Sequence, residues 1–193
     1  MEVGSGPIRT HSSDGAPVIT RPVQAVRRAS HRADWESAST LLREYAEWIK
    51  AATAIDPFVE QPSFTDEILD PAGHYSNDDL VLFVAFVGAQ AVGTLAVASR
   101  PGGGAELKRM YVRPTARGHG VADALLAEAI ALADRRRCND IWLESVHGAM
   151  DAAIAVYRRN GFTIVDMPPT ISVDGAVVMR RGEPVRAAAA GWA

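Results

Sequence analysis

The sequence predicts an α/β fold, a mixed sheet with helices on both faces, and three observations carry that expectation. Apolar residues recur at helical spacing in two long stretches, two apolar runs of strand length meet at a glycine turn, and a third strand passes through a two-glycine turn directly into a helix. Composition agrees. With 193 residues, 48% hydrophobic and 22% charged, the chain suits one globular domain with a sizeable core.

In chain order, residues 1–22 are rich in Gly, Ser, Pro and Thr without periodicity and read as a disordered leader. No apolar stretch follows the start, so no signal peptide is expected. Residues 23–29, with Val26 central, read as a first strand, and Ser30 stands where it could cap the helix that follows. Trp35, Ala38, Leu41, Leu42, Tyr45, Trp48 and Ile49 mark one face of that helix, which ends near Ala52. A short helix over 65–69 lies between Pro62 and Pro71. Strands over 80–87 and 91–98 are joined by Gly88-Ala89-Gln90, a hairpin signal, and Pro101-Gly102-Gly103-Gly104 turns the chain into the strand that begins at Glu106. Pro114 ends that strand because proline cannot donate to a ladder. From Val121 the apolar spacing becomes helical through Ala133. A strand over 140–145, a helix over 150–160 closed by Gly161, and strands over 162–165 and 176–179 complete the sheet. The domain thus spans 23–180, and 181–193, with its alanine run, reads as a flexible tail.

Charge and cysteine content exclude several functions. A net charge of -3 gives no electrostatic case for nucleic acid. The single Cys138, expected to be a small buried hydrophobe, rules out an intramolecular disulfide and fits a reducing, cytoplasmic setting. The longest apolar run, 80–87, is too short to cross a bilayer, so no membrane partner is expected. No cluster has metal-ligand spacing, and the Arg135-Arg136-Arg137 run suits a helix C-terminus.

The informative stretch is 106–126. Arg117-Gly118-His119-Gly120 joins strand to helix, its glycines let the backbone approach a ligand, and the unpaired amides at the helix start favour an anion. Arg117 adds a planar charge suited to phosphate. A dinucleotide fingerprint needs a glycine where Asp123 stands, and a Walker loop needs Gly-Lys-Ser/Thr; neither is present.

Arg117-x-x-Gly120-x-Ala122, directly after Arg109-Met110-Tyr111-Val112-x-Pro114, resembles the acyl-CoA signature of the GNAT family of N-acetyltransferases. Ala153-Ile154-Ala155-Val156-Tyr157, closing in Gly161-Phe162, is similar to that family's second hallmark, in the right order and spacing. The resemblance implies a mostly antiparallel sheet, two strands that splay around a pantetheine arm, and acetyl-CoA as donor co-substrate. It assigns cofactor binding to Met110, Tyr111, Val112, Arg117, Gly118, His119, Gly120, Val121 and Ala122, the backbone at Met110 and Val112 pairing with pantetheine in strand fashion. Arg113 is either a further phosphate contact or a solvated side chain.

For the chemistry, the resemblance makes Glu106 the leading base and Tyr157 the donor to the departing thiolate, since a phenol with pKa near 10 stays protonated at neutral pH. Many relatives place an asparagine seven residues before this tyrosine; here Met150 stands there, so a polar CoA contact falls to another group such as Ser145. His119 reads as exposed and His147 as a loop residue near the site. Trp48, Phe58, Phe64 and Tyr75 are candidates either for an acceptor pocket or for core packing. The implied function is acetyl transfer to an amine of a small molecule, peptide or protein. The alternative is a catalytically silent CoA-binding sensor or partner-binding module. Use of a longer acyl chain is left open, and the resemblance allows a homodimer.

Overall fold

The computed structural model describes residues 25–53 and 55–182. The expected leader 1–22 and the tail beyond Gly182 lie outside the described residues. Strand β1 (Ala25–Arg28) leads into the long helix α1 (Arg32–Thr53) and three short helices, α2 (Pro57–Glu60), α3 (Phe64–Leu69) and α4 (Pro71–Tyr75). The hairpin β2 (Leu80–Val87) and β3 (Gln90–Ser99) precedes β4 (Ala105–Val112), a single 3-10 turn (Pro114–Ala116) and α5 (Val121–Arg135). Then come β5 (Asp140–Val146), α6 (Asp151–Arg159), β6 (Thr163–Val165) and β7 (Ala176–Gly182). The last strand runs past the expected end at Met179, so Arg181 and Gly182 belong to the sheet rather than to the tail.

The seven strands lie in the order β1-β2-β3-β4-β5-β7-β6, antiparallel except where β4 meets β5. Strand β2 is apolar throughout, and six of its eight residues are buried, because both of its faces are covered. One face packs Val81, Phe83, Leu95 and Leu107 against α5 and α6; the other packs Leu82, Val84 and Phe86 against α1, α3 and α4. Helices therefore cover both faces, as expected.

Two local findings differ from the sequence reading. The α1 start is held by Asp34, whose carboxylate accepts from the backbone N–H of Ser30 and His31, at 3.2 and 3.3 Å, and from the Arg27 guanidinium at 2.7 Å. An acid in the first turn reaching back in this way replaces the cap expected from the Ser30 hydroxyl. Helices α2 and α4 were not expected, yet each begins with an Asp cap followed by proline, Asp56 accepting from Phe58 N–H and Asp70 from Gly73 N–H. They are too short to show a helical period.

The feature that shapes the site is a bulge in β4. Ala96 pairs with Lys108 and Thr94 with Tyr111, so Arg109 and Met110 oppose one residue, and Arg109 takes φ +57°. A bulge of this kind reverses the facing of everything beyond it. Before it, Leu107 packs on the α5 side; after it, Tyr111 joins the α1 side and Val112 the α5 side. The buried Thr94 hydroxyl donates to the Arg109 carbonyl at 3.0 Å, satisfying the backbone at the bend.

Candidate acetyl-CoA and acceptor site

Strands β4 and β5 pair only from Ala105↔Ile141 to Leu107↔Leu143, although both continue beyond. Past Leu107 they part, which is the gap the family resemblance implies. Two cavities meet there. The larger, about 440 Å³, is walled by Met110, Tyr111 and Val112 of β4, by the turn through Arg117, Gly118 and Gly120, by Val121 and Ala122 of α5, and by α6.

The turn is built for backbone contact. Gly118 and Gly120 have φ of +77° and +76°, and a Cβ at either would meet open space. Side chains are excluded there by backbone conformation, not by crowding. Gly120 is the residue before α5, so the first amides of a 15-residue helix open toward the cavity. The Arg117 guanidinium lies 5.4 Å from the Trp48 ring centroid, and its Nε donates to the Val112 carbonyl at 3.1 Å. That bond occupies one lone pair of a carbonyl expected to pair with pantetheine. The helix start, the two bare glycines and the strand gap suit an acyl-CoA's pyrophosphate and arm.

Of the nine residues assigned to cofactor binding, eight line this cavity. His119 does not: it is exposed, and its Nδ1 lies 2.8 Å from the Arg117 carbonyl, turned onto its own loop. Arg113 neither reaches the cavity nor stands solvated, because its guanidinium is bound in a fork by Glu44 of α1 and donates to the Ala91 carbonyl at 2.8 Å. The far wall was missed by the sequence reading. Ala152, Ala153 and Val156 of α6 line it at helical spacing, a stripe that the period could have revealed, and Ala149 of the preceding turn extends it. Arg159 at the end of α6 holds Asp123 at the start of α5 at 2.5 Å, pinning the two helices at the cavity edge.

The smaller cavity, about 120 Å³, brings Glu106 and Tyr157 together, with Tyr45, Trp48, Glu144 and Ser145 among its other walls. Glu106 is half-buried, its carboxylate 3.4 Å from Lys108 Nζ. Tyr157 is 6% exposed and its ring packs edge-on against Phe162. Burial, and secondarily Tyr45, push the Tyr157 phenol above its ordinary value, so it is a proton donor throughout the physiological range. The Ser145 hydroxyl lies 3.7 Å from Met150 Sδ, and Met150 lines both cavities. His147 is exposed, its Nδ1 3.1 Å from Asp151, and lines neither cavity.

Among the aromatic candidates, only Trp48 lines the smaller cavity, and it lines the larger one too. Phe64 and Tyr75 are fully buried in the α1-side core, the packing alternative of the two; Phe58 is 43% exposed and lies against Phe64. The reason is a buried polar network that nothing local in the sequence announced. Arg109, re-aimed by the bulge, donates to both Glu67 oxygens at 2.8 and 2.7 Å and to Gln61 Oε1 at 2.6 Å, while its guanidinium stacks 4.3 Å over Phe64. The Tyr75 hydroxyl donates to the same Glu67 carboxylate. The network fastens α2 to α4 onto β4, and Gln61 and Arg109 form part of the cavity wall.

Glu144 fastens a second wall. Its carboxylate accepts from Thr170 N–H at 2.7 Å, the Thr170 hydroxyl at 3.0 Å and Ile171 N–H at 3.2 Å. Those bonds hold the segment between β6 and β7 over the cavity.

Comparison with known proteins agrees with this geometry. The model of the Acetyltransferase (GNAT) family matches residues 37–162. The chain belongs to that family and is an N-acetyltransferase whose family reaction is acetyl transfer from acetyl-CoA to an amine. Among solved structures it is similar to a GNAT-family acetyltransferase from Staphylococcus aureus at 21% identity, covering 81% of this chain and 98% of that one, with TM-score 0.64. It is likewise similar to the PaiA N-acetyltransferase of Thermoplasma acidophilum in complex with coenzyme A, at 19% identity, 83% and 100% coverage and TM-score 0.64. A third is the ribosomal-protein-alanine N-acetyltransferase of Brucella melitensis, at 24% identity, 82% and 99% coverage and TM-score 0.63. A comparison with curated proteins returns no match. Among the described residues, no helix is long and apolar enough to cross a membrane.

Proposed function

We propose that the chain from the first strand through Gly182 forms one catalytic domain that moves the acetyl group of acetyl-CoA directly to an amine of a small molecule, peptide or protein, in the cytoplasm. The observation that carries this reading is that Glu106 and Tyr157 line one cavity at the parting of β4 and β5, sharing Met110, Trp48 and Met150 with the larger cavity. The amides of Gly118, Gly120 and the first turn of α5, assisted by Arg117, bind the pyrophosphate, and the β4 edge orients the pantetheine arm. Glu106 takes a proton from the acceptor ammonium, directly or through water, leaving a neutral amine to attack the thioester carbonyl.

Tyr157 hydrogen-bonds the departing thiolate. Its phenol is held above 10 and an ordinary thiol is near 8.5, so full proton transfer is uphill by about 2 kcal/mol or more before the thiolate is itself desolvated. Stabilisation by a hydrogen bond is therefore its principal contribution. The homodimer remains part of the proposal and is tested by sedimentation.

Tyr157→Phe tests the assignment. Turnover is expected to fall about a hundredfold or more while acetyl-CoA affinity is retained, and Glu106→Gln is expected to lose turnover in the same way. Equal loss of cofactor binding would make Tyr157 a packing residue, and unchanged turnover would remove either group from the chemistry.

A further inference from the structure

Two cations beside the sheet, Arg100 and Arg180, play no part in the chemistry above. Glu106 of β4, Trp142 of β5 and Arg180 of β7 stand opposite one another in register, a row across three adjacent strands. Register partners share a face of the sheet, so all three side chains project on the side where Glu106 meets the acceptor cavity. The Arg180 guanidinium lies 5.2 Å from the centroid of the Trp142 ring, and that of Arg100, from the turn after β3, lies 5.8 Å from it. Both are within cation–π range.

Neither guanidinium has an ion pair or hydrogen bond with a described residue. Arg109, Arg113 and Arg159 each hold a carboxylate. Of the acids on this face, Glu106 is engaged with Lys108 and Glu144 with the segment at Thr170, while Asp140, two residues before Trp142, is buried and forms no ion pair with either arginine. Two guanidiniums against one indole make a locally positive patch, which attracts an anion.

We propose that Arg100, Trp142 and Arg180 recognise an anionic group, a carboxylate or phosphate, carried by the acetyl acceptor, so that the acceptor is an amine with an acid in the same molecule. This rests on the amine-acetylation reading and names its substrate class. The guanidinium forks take the anion, and the Trp142 ring supports the chain between anion and amine. Neighbouring strands lie about 4.8 Å apart, which puts the Arg180 backbone about 10 Å from that of Glu106. Extended peptide gains about 3.3 Å per residue, so in a peptide whose amine meets Glu106 the anion falls near the third residue. An aminoalkyl carboxylate of similar length presents the same chemistry.

The test is calorimetric titration of the protein saturated with CoA, using two matched pairs of probes. One pair is C-terminally amidated tripeptides with Glu or Gln in third place; the other is an aminoalkyl carboxylate and the alcohol of equal chain length. The acidic member of at least one pair is expected to bind about tenfold tighter or more, since hydrogen bonds to charged groups contribute on that scale. The pair that shows the preference tells a peptide acceptor from a small molecule. In Arg100→Gln/Arg180→Gln the preference should fall to near unity, with thermal midpoint and CoA affinity unchanged. Equal binding within both pairs, no binding of any probe, or a preference that survives the double variant would overturn the proposal. Failure of wild-type protein to bind CoA, measured first on the same sample, would instead overturn the cofactor reading beneath it.

Discussion

Replacing Glu67 by Gln removes one charge from a buried pair while keeping the side-chain volume. Glu67 and Arg109 are 3% and 6% exposed, and among the described residues the only other basic side chain within ion-pair distance of the carboxylate is His74, at 3.7 Å. The variant leaves the Arg109 guanidinium buried without a counter-charge, and the amide nitrogen that replaces one oxygen must face a donor, either Arg109 or the Tyr75 hydroxyl. Breaking a buried pair from one side costs about 3–5 kcal/mol. For a chain of this size that lowers the melting midpoint by roughly 6 to 20 °C. Urea unfolding followed by circular dichroism measures it, with the slope unchanged if the compactness of both states is retained. Acid adds a second signature. Burial alone would raise the Glu67 carboxyl, but Arg109's hydrogen bonds and charge outweigh it and hold it below its ordinary value. A group depressed on folding contributes stability that is complete above the unfolded-state pKa, near 4.3, and is lost as pH falls through the folded value. The gap between wild type and Glu67→Gln should therefore persist from neutral pH down to about 4 and close below it. The double variant Glu67→Leu/Arg109→Met should recover most of the loss, because removing both charges leaves neither unpaired. A cost under about 1 kcal/mol at neutral pH, or a gap that does not close in acid, would refute the reasoning.

Gly120→Ala should cost about 1–2 kcal/mol of stability from its φ of +76°, with no clash to add, whereas Gly120→Glu should also abolish CoA stabilisation by placing a carboxylate at the start of α5. Differential scanning with and without CoA separates the two, and retained CoA stabilisation in the Glu variant would move the phosphate site elsewhere. Glu144→Ala should raise KM for the acceptor about tenfold or more by freeing the segment at Thr170, with KM for acetyl-CoA unchanged, as steady-state kinetics would show. Parallel rises in both constants would mean that Glu144 supports the sheet rather than the acceptor wall.

The elements were legible in the sequence where a period was long enough to read. The face of α1, the continuous apolar run of β2 and the change of rhythm at Val121 each reflect burial on a face the chain itself displays. The glycine turn was legible because its backbone needs residues without a Cβ. What escaped was non-local. Arg109 meets Glu67 across 42 positions, Arg113 meets Glu44 across 69, and no local pattern announces either pairing. The bulge that makes the first possible did leave a trace: Leu107 and Met110 share a core face although three residues apart, which an unbroken strand forbids. That parity break, together with the alanine stripe of α6, would have placed both walls of the cofactor cavity. The acceptor wall has no such trace, because α2, α4 and the segment near Thr170 are fastened by single carboxylates.

The central claim, that this chain acetylates an amine from acetyl-CoA through the cavity shared by Glu106 and Tyr157, is most directly tested by thiol release from acetyl-CoA against an amine panel, after thermal scans with acetyl-CoA, CoA and ATP. Stabilisation by the CoA species alone, with amine-dependent thiol release that Tyr157→Phe suppresses, is the predicted result. Stabilisation by acetyl-CoA with no amine-dependent release across polyamines, amino acids, aminoglycosides and peptide N-termini would contradict catalysis and favour the sensor, and no stabilisation at all would contradict the cofactor site itself.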